Sequence, residues 1–317
     1  MSKHILSVGD LVLDITLPVS LPVHPAAHQD APTREVEPGG AANFMIAAHH
    51  MGLHVTAAGT VGADSIGDLI LAPLDQAGID TRFVVRVPGS TSTMVIVLTD
   101  QKTGQHAFLG QYGTGDAVPY PDTLDTCISQ VDAVFIQGYT LSEKRIVPMA
   151  HRALRQAVAS QIPIYLDVGP FMAHVPPEEI AWVVSQSTVV LTTEDEVPLV
   201  SGGRTGQEAY AQLLSQGPQL LVIKQGPQGC TLVTNDWSAQ VPGFPVQVVD
   251  TVGAGDCFDG AFTAALLSGL DLWQCGRLAN AMGAMAVQKV GAGRNAPTCA
   301  EVMNLLHQAG ERIDFSC

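Results

Sequence analysis

At 317 residues, with 46% apolar and only 14% charged side chains, the chain has material for one large buried core and too little charge for a disordered polymer. Thirty acidic residues against 15 basic ones give a formal charge of −15, which argues against nucleic-acid binding but not against one nucleotide, whose phosphates backbone N–H groups and a metal can hold. The six cysteines (Cys127, Cys230, Cys257, Cys275, Cys299, Cys317) lie far apart with no C-x-x-C pair, a spacing read against a zinc knuckle or disulfide framework and for a reducing cytosol. No signal peptide precedes the first strand-like segment, and no apolar run reaches the ~18 residues of a membrane span, so the expectation is a cytoplasmic protein without membrane contact.

The first segment, Ile5–Val8, is short, apolar and closed by Gly9, like a buried strand. Residues 11–36 carry Pro18, Pro22, Pro25 and Pro32, which suits short edge or lid strands. An Ala- and Met-rich helix is predicted over Ala41–Met51, a strand over Val55–Gly59 and a helix over Ile66–Ala77 ending at Gly78. Thr93–Thr99 and His106–Leu109 flank a turn segment and read as a hairpin. From there the order is regularly βα. Strands are predicted at Ala133–Ile136, Ile164–Asp167, Val189–Thr192 and Leu220–Lys224, with helices between them, including Glu143–Ser160 and Gly206–Leu214. A second hairpin (Cys230–Thr234, Ala239–Val241) leads to a strand-like Val246–Val249 and helices at Gly255–Ser268, Trp273–Val290 and Cys299–Ala309. Near-continuous apolar strands alternating with helices imply an α/β domain whose mostly parallel sheet is covered on both faces.

Asp250-Thr251-Val252-Gly253-Ala254-Gly255-Asp256 stands where chemistry is expected. Small residues at 253–255 let a phosphate approach the backbone, and the helix N-terminus favours an anion. An Asp placed there is either a first-turn carboxylate favoured by the dipole or a base beside a reacting phosphoryl group. A Walker A lysine is absent, and no G-x-G-x-x-G opens a helix after a strand.

Residues 250–263 (DTVGAGDCFDGAFT) match the C-terminal signature of the PfkB/ribokinase family of carbohydrate kinases. Residues 38–62 resemble its N-terminal signature through Gly39, Gly40, Asn43, Gly52 and Gly62, with Met45 departing from the usual small residue. The resemblance runs from Ile5 to about Pro297. It implies a single ribokinase-like domain over residues 1–317, a three-layer sandwich with lid segments at 11–37 and 83–112. It also implies Asp256 as catalytic base and the N–H groups of Gly253, Ala254, Gly255 and Asp256 as anion hole. On the acceptor side it points to Asp14, whose carboxylate suits a vicinal diol, and to Gly39, Gly40 and Asn43, with Asp10 and Thr93 as further candidates. Asp10 is equally readable as structural.

On the nucleotide side, Glu196 matches the family's Mg²⁺-ordering Glu, while Thr193 replaces the usual Asn. Gly226 and Gly229 resemble the turn beside the nucleotide; Lys224 either reaches a phosphate or snorkels from a strand end; Asn280 matches a position facing the adenine. Asp250 and Val252, with a second loop around Val287–Asn295, match a monovalent-cation site used by some members, K⁺ being the natural candidate. The implied activity is ATP-dependent, Mg²⁺-assisted phosphorylation of a hydroxymethyl group on a small sugar or polyol. The alternatives are a nucleoside kinase of the adenosine or pseudouridine type, or a binding protein that has lost the chemistry. Between Asp10 and Tyr120 the basic residues are Arg34, Arg82, Arg86 and Lys102, which favours a neutral acceptor over a phosphosugar. Apolar lid strands suggest a homodimer through the lid.

Overall fold

The computed structural model describes residues 2–26 and 28–317 and arranges them as a nine-stranded central sheet between two helical layers, with three further strands attached through its first strand. In chain order the elements begin with β1 (His4–Val19), β2 (Glu35–Gly40), α1 (Ala41–His50), β3 (His54–Gly62), α2 (Ser65–Ala77), β4 (Asp80–Val87), β5 (Thr93–Asp100) and β6 (His106–Gln111). Then come α3 (Leu124–Ile128), β7 (Ala133–Gln137), α4 (Gly138–Ser142), α5 (Val147–Ala159), β8 (Ile164–Asp167), α6 (Pro177–Gln186), β9 (Val189–Thr193), α7 (Val197–Val200), α8 (Gly206–Ser215) and β10 (Leu220–Lys224). The last elements are β11 (Cys230–Val233), β12 (Ser238–Val241), α9 (Ala254–Leu267), α10 (Leu272–Ala286) and α11 (Cys299–Gln308).

Side chains alternate across a strand, so a run of consecutive apolar residues serves a sheet covered on both faces. Val189 and Leu191 of β9 enter one core with α1, α2, α9, α10 and α11. Val190 between them enters the other, with α3 to α8. Strands β10, β9, β8, β7, β1, β3 and β4 are parallel neighbours, and β11 and β12 continue the sheet antiparallel beyond β10.

Strand β1 changes partners halfway. Residues 4–10 pair with β3; from Leu11 onward the strand leaves the central sheet and pairs with β2 and β5. With β6 on the far side of β5, these strands form the lid. Placing Asp10 at that departure puts it at the carboxyl end of the sheet, where sites in parallel α/β folds are built.

Several expectations need correction. Residues 11–19 are one continuous strand, because Pro18 falls near its end. Residues 83–87 belong to β4 in the central sheet rather than to the lid. The helix predicted over Glu143–Ser160 is shorter, α5 starting only at Val147, just before Pro148, after a non-helical stretch that separates it from α4. Val246–Val249 is irregular. Cys299 and Cys317 form a disulfide with Cα atoms 6.1 Å apart, so the cysteine spacing does not speak for a reducing compartment. Among the described residues no helix is long and apolar enough to cross a membrane.

Candidate active site

Helix α9 starts at a glycine because the chain must turn sharply there. Gly253 adopts φ 70°, and a Cβ on it would collide with Ala292. The N–H groups of Gly255 and Asp256 have no carbonyl four residues back within the helix and point from its N-terminus. The N–H of Ala254 is partly committed, donating to the Thr251 carbonyl at 3.3 Å.

Asp256, in that first turn, is oriented by two neutral amides. Asn43 Nδ2 donates to Oδ2 at 3.2 Å and Gln137 Nε2 to Oδ1 at 2.5 Å. Phe44 and Phe135 explain why those amides meet: their rings stack with centroids 3.4 Å apart and fix α1 against β7. Burial, and then the Asp167 charge, push the Asp256 carboxyl up to about 7, in the range suited to a general base. The Asn43 Oδ1 accepts from Gly293 N at 3.0 Å, so Asn43 is held against Asp256 at both ends and keeps one N–H donor for the cleft it lines.

The acceptor side is a cleft of about 1130 Å³. Asp10, Val12 and Asp14, alternate residues of β1, line it together with Gly40, Asn43 and Asp256. Gly39 passes so close to Asp14 that a Cβ would strike its carboxylate. Burial first, and Asp256 second, push Asp14 up to about 7. Asp10 is likewise raised to about 7 by burial and by Glu143, against Arg145.

Arg145 was outside the stretch in which basic residues were sought, and it reaches the cleft from the segment after α4. Its guanidinium is buried, with Nε 3.1 Å from Glu143 and Nη2 3.8 Å from Asp10 Oδ1. It also donates to Ser90 Oγ, the Thr91 carbonyl and Thr93 Oγ1 at 3.3–3.4 Å. Thr93 Oγ1 accepts from Gly113 N as well, at 3.1 Å. Arg145 therefore ties the entry and exit of the lid hairpin to the floor of the cleft, and its charge is already matched. An aromatic wall stands nearby: Phe171 lies 4.8 Å from Tyr139, 5.6 Å from His174 and 6.4 Å from Tyr112 between ring centroids.

The nucleotide-side candidates stand at the ends of β9 and β10. Glu196 accepts from Thr193 N at 2.8 Å through Oε2, leaving Oε1 for a water. Among the described residues no cluster of three or more His, Cys, Asp or Glu could grip a metal directly. One free carboxylate oxygen fits Mg²⁺ held through phosphates and water, the mode that ion prefers. Gly226 and Gly229 bound a tight 3₁₀ turn after β10, with Gln225 N donating to the Gly229 carbonyl at 2.8 Å.

Two assignments do not stand as expected. Lys224 neither snorkels nor lies free, because its ammonium is held between Asp167 and Asp259. Asn280 is buried, and its Nδ2 donates to the Val241 and Pro242 carbonyls at 3.0 and 3.1 Å, so its amide clasps the chain after β12 instead of facing a base. Asp250 accepts from Val252 N at 3.1 Å and from Gly291 N at 2.9 Å, which brings the two loops of the cation reading together.

Residues 2–299 match the model of the pfkB family carbohydrate kinases. A ribokinase of Bacillus subtilis is 32% identical over 273 residues, 85% of this chain and 87% of that protein. Among solved structures, a putative ribokinase II from E. coli in complex with ATP and Mg²⁺ superposes with a TM-score of 0.85 at 23% identity, covering 97% of this chain and all of that one. The Burkholderia thailandensis nucleoside kinase in complex with inosine does so with 0.79 at 21%, covering 97% of this chain and 98% of that one. A family match over nearly the whole length, on a ribokinase fold with both signatures in one cleft, makes this chain a member of the pfkB family of carbohydrate kinases.

Proposed function

We propose that the protein transfers the γ-phosphate of ATP to a hydroxymethyl group of a small, neutral polyol, with Asp256 as base. The observation that carries this is Asp256 itself. A buried carboxylate, aimed by Asn43 and Gln137, sits in the same helix turn as free N–H groups and opens into the cleft that Asp14 lines. Asp256 takes the hydroxyl proton, the N–H groups of Gly253, Gly255 and Asp256 receive charge on the moving phosphoryl group, and Asp14 holds neighbouring hydroxyls. Glu196 would hold Mg²⁺ through water, and the ion would supply neutralisation of the phosphate charge. Asp250 and the carbonyls around it are the donors a monovalent cation such as K⁺ would use. The lid is the proposed dimer surface.

One observation favours a nucleoside as acceptor within the same chemistry: the aromatic wall of Tyr139, Phe171 and Tyr112 offers faces for a flat ring. Arg145 is already paired, and the exposed Lys144 is the cation left at the cleft for a charged acceptor.

The test is an ATP-coupled screen over ribose, fructose, ketodeoxygluconate, adenosine and pseudouridine, followed by Asp256→Asn. That variant is expected to lose several orders of magnitude in turnover and still bind ATP in a thermal-shift assay. Near-normal turnover would remove the proposed base.

A further inference from the structure

Lys224 is a buried cation beneath the anion hole, and neither of its sequence roles accounts for it. It closes β10, Asp167 closes β8, and Asp259 lies one turn after Asp256 on α9. The Lys224 ammonium donates to Asp167 Oδ1 at 2.8 Å and to the two oxygens of Asp259 at 3.2 and 2.9 Å. An ammonium has three N–H donors, and three carboxylate oxygens use all of them. A phosphate could be bound only by releasing one of two carboxylates that are themselves out of water, with side-chain exposures of 9% for Asp167 and 0% for Asp259. Yet the ammonium is adjacent to the chemistry, for a Cβ on Gly255 would lie 3.6 Å from Nζ.

We propose that Asp167, Lys224 and Asp259 form a fixed charge triad that sets how readily Asp256 takes the acceptor's proton, with Lys224 a positioning residue and not a phosphate ligand. This rests on reading Asp256 as the base. The groups that bond Asp256 directly, Asn43 and Gln137, are uncharged and fix its orientation. Burial and the Asp167 charge raise its proton affinity, and Lys224 and the two amide hydrogen bonds lower it. The titratable groups around it are Asp14 from β1, Tyr139 from α4, Asp167 from β8, Lys224 from β10, and Cys257 and Asp259 from α9. Glu196 faces this set through Tyr139 and Lys224, and Lys289 faces it through Cys257. Within it, Asp167 disfavours the Asp256 carboxylate and Lys224 favours it. Two residues of one ion pair thus act on the base in opposite directions.

The experiment is kcat against pH at saturating ATP and the best acceptor of the five-compound panel, so that the acid limb reports the bound enzyme. Lys224→Met removes the favouring charge and should move the limb to higher pH by about one unit. Asp167→Asn removes the opposing charge and should move it down by about as much, with Lys224 still held by Asp259. General loosening of the fold cannot displace the limb both ways. The KM for ATP should stay within about twofold in both variants. If Lys224→Met fails to fold, Asp167→Asn carries the test alone. An unmoved limb in Asp167→Asn overturns the proposal, as does a Lys224→Met variant whose ATP KM rises tenfold or more, by about 1.4 kcal/mol, at an unmoved limb. Retained turnover in Asp256→Asn sinks the base reading instead, and turnover of no panel acceptor removes both.

Discussion

Asp14 and Gly39 form one unit on facing strands, and their geometry carries a prediction about pH. The Gly39 backbone lies against the Asp14 carboxyl, which burial and the nearby Asp256 hold at about 7. The ionised form accepts from two hydroxyls strongly, one at each oxygen, whereas the protonated form accepts more weakly and carries an O–H on one of them. Because this pKa is raised, acidification through neutrality converts the acceptor-binding form to one with a proton to place. The KM for the polyol should therefore climb as pH falls below about 7, while the KM for ATP stays level. Asp14→Asn should bind the polyol weakly at every pH and show no such climb. A wild-type KM flat from pH 5.5 to 8 (about the window of the raised pKa) would rule out Asp14 as the titrating grip.

At the scale of elements, the lid depends on one buried arginine. Entry to β5 passes Ser90–Thr93 and exit from β6 passes Gly113–Thr114, and Ser90 Oγ donates across to the Thr114 carbonyl. Arg145 bonds the entry directly and the exit through Ser90 and Thr93, and it balances Glu143 and Asp10. Removing one partner of such a buried pair typically costs about 3–5 kcal/mol. Arg145→Ala should therefore lower the unfolding free energy by that order, seen as a lower urea midpoint, and raise the acceptor KM. Arg145→Lys should recover part of the stability but not the spread of contacts, having no planar fork. Unchanged midpoint and KM in Arg145→Ala would dismiss the hinge.

The same elements mark what could be read beforehand. The βα alternation and the start of α9 were legible because local pattern and spacing encode them. Gln137, Arg145 and Asp167 were not, since each acts through a partner far along the chain. Gln137 meets Asp256 across 119 residues, and Arg145 meets Thr93 across 52. One signal was available for Gln137 and Asp167: each is a polar residue closing a buried parallel strand at the sheet's carboxyl edge. Lys224 and Asn280 were misjudged for a related reason. A residue type reveals what it can bond, and only packing decides which partner reaches it first.

For the whole molecule, charge and the lid edge pull in opposite directions. Among the described residues strand β6 pairs only with β5, leaving its other edge open, and Phe108 and Leu109 on it are 57% and 58% exposed. An exposed apolar edge strand favours pairing with a second copy. The chain's formal charge of −15 opposes that association, since two copies repel. Salt screens such repulsion within about 10 Å at 0.1 M and leaves apolar contact intact. The dimer should therefore tighten as salt rises, the reverse of an association held by ion pairs. Sedimentation at micromolar protein is expected to show mostly dimer at about 0.5 M salt, with more monomer near 0.01 M. Leu109→Lys, on the strand face away from the cleft that Phe108 lines, should give monomer throughout and, if each cleft is complete within one chain, keep its kcat. A wild-type monomer at high salt would mean that the lid edge is protected by something other than its twin.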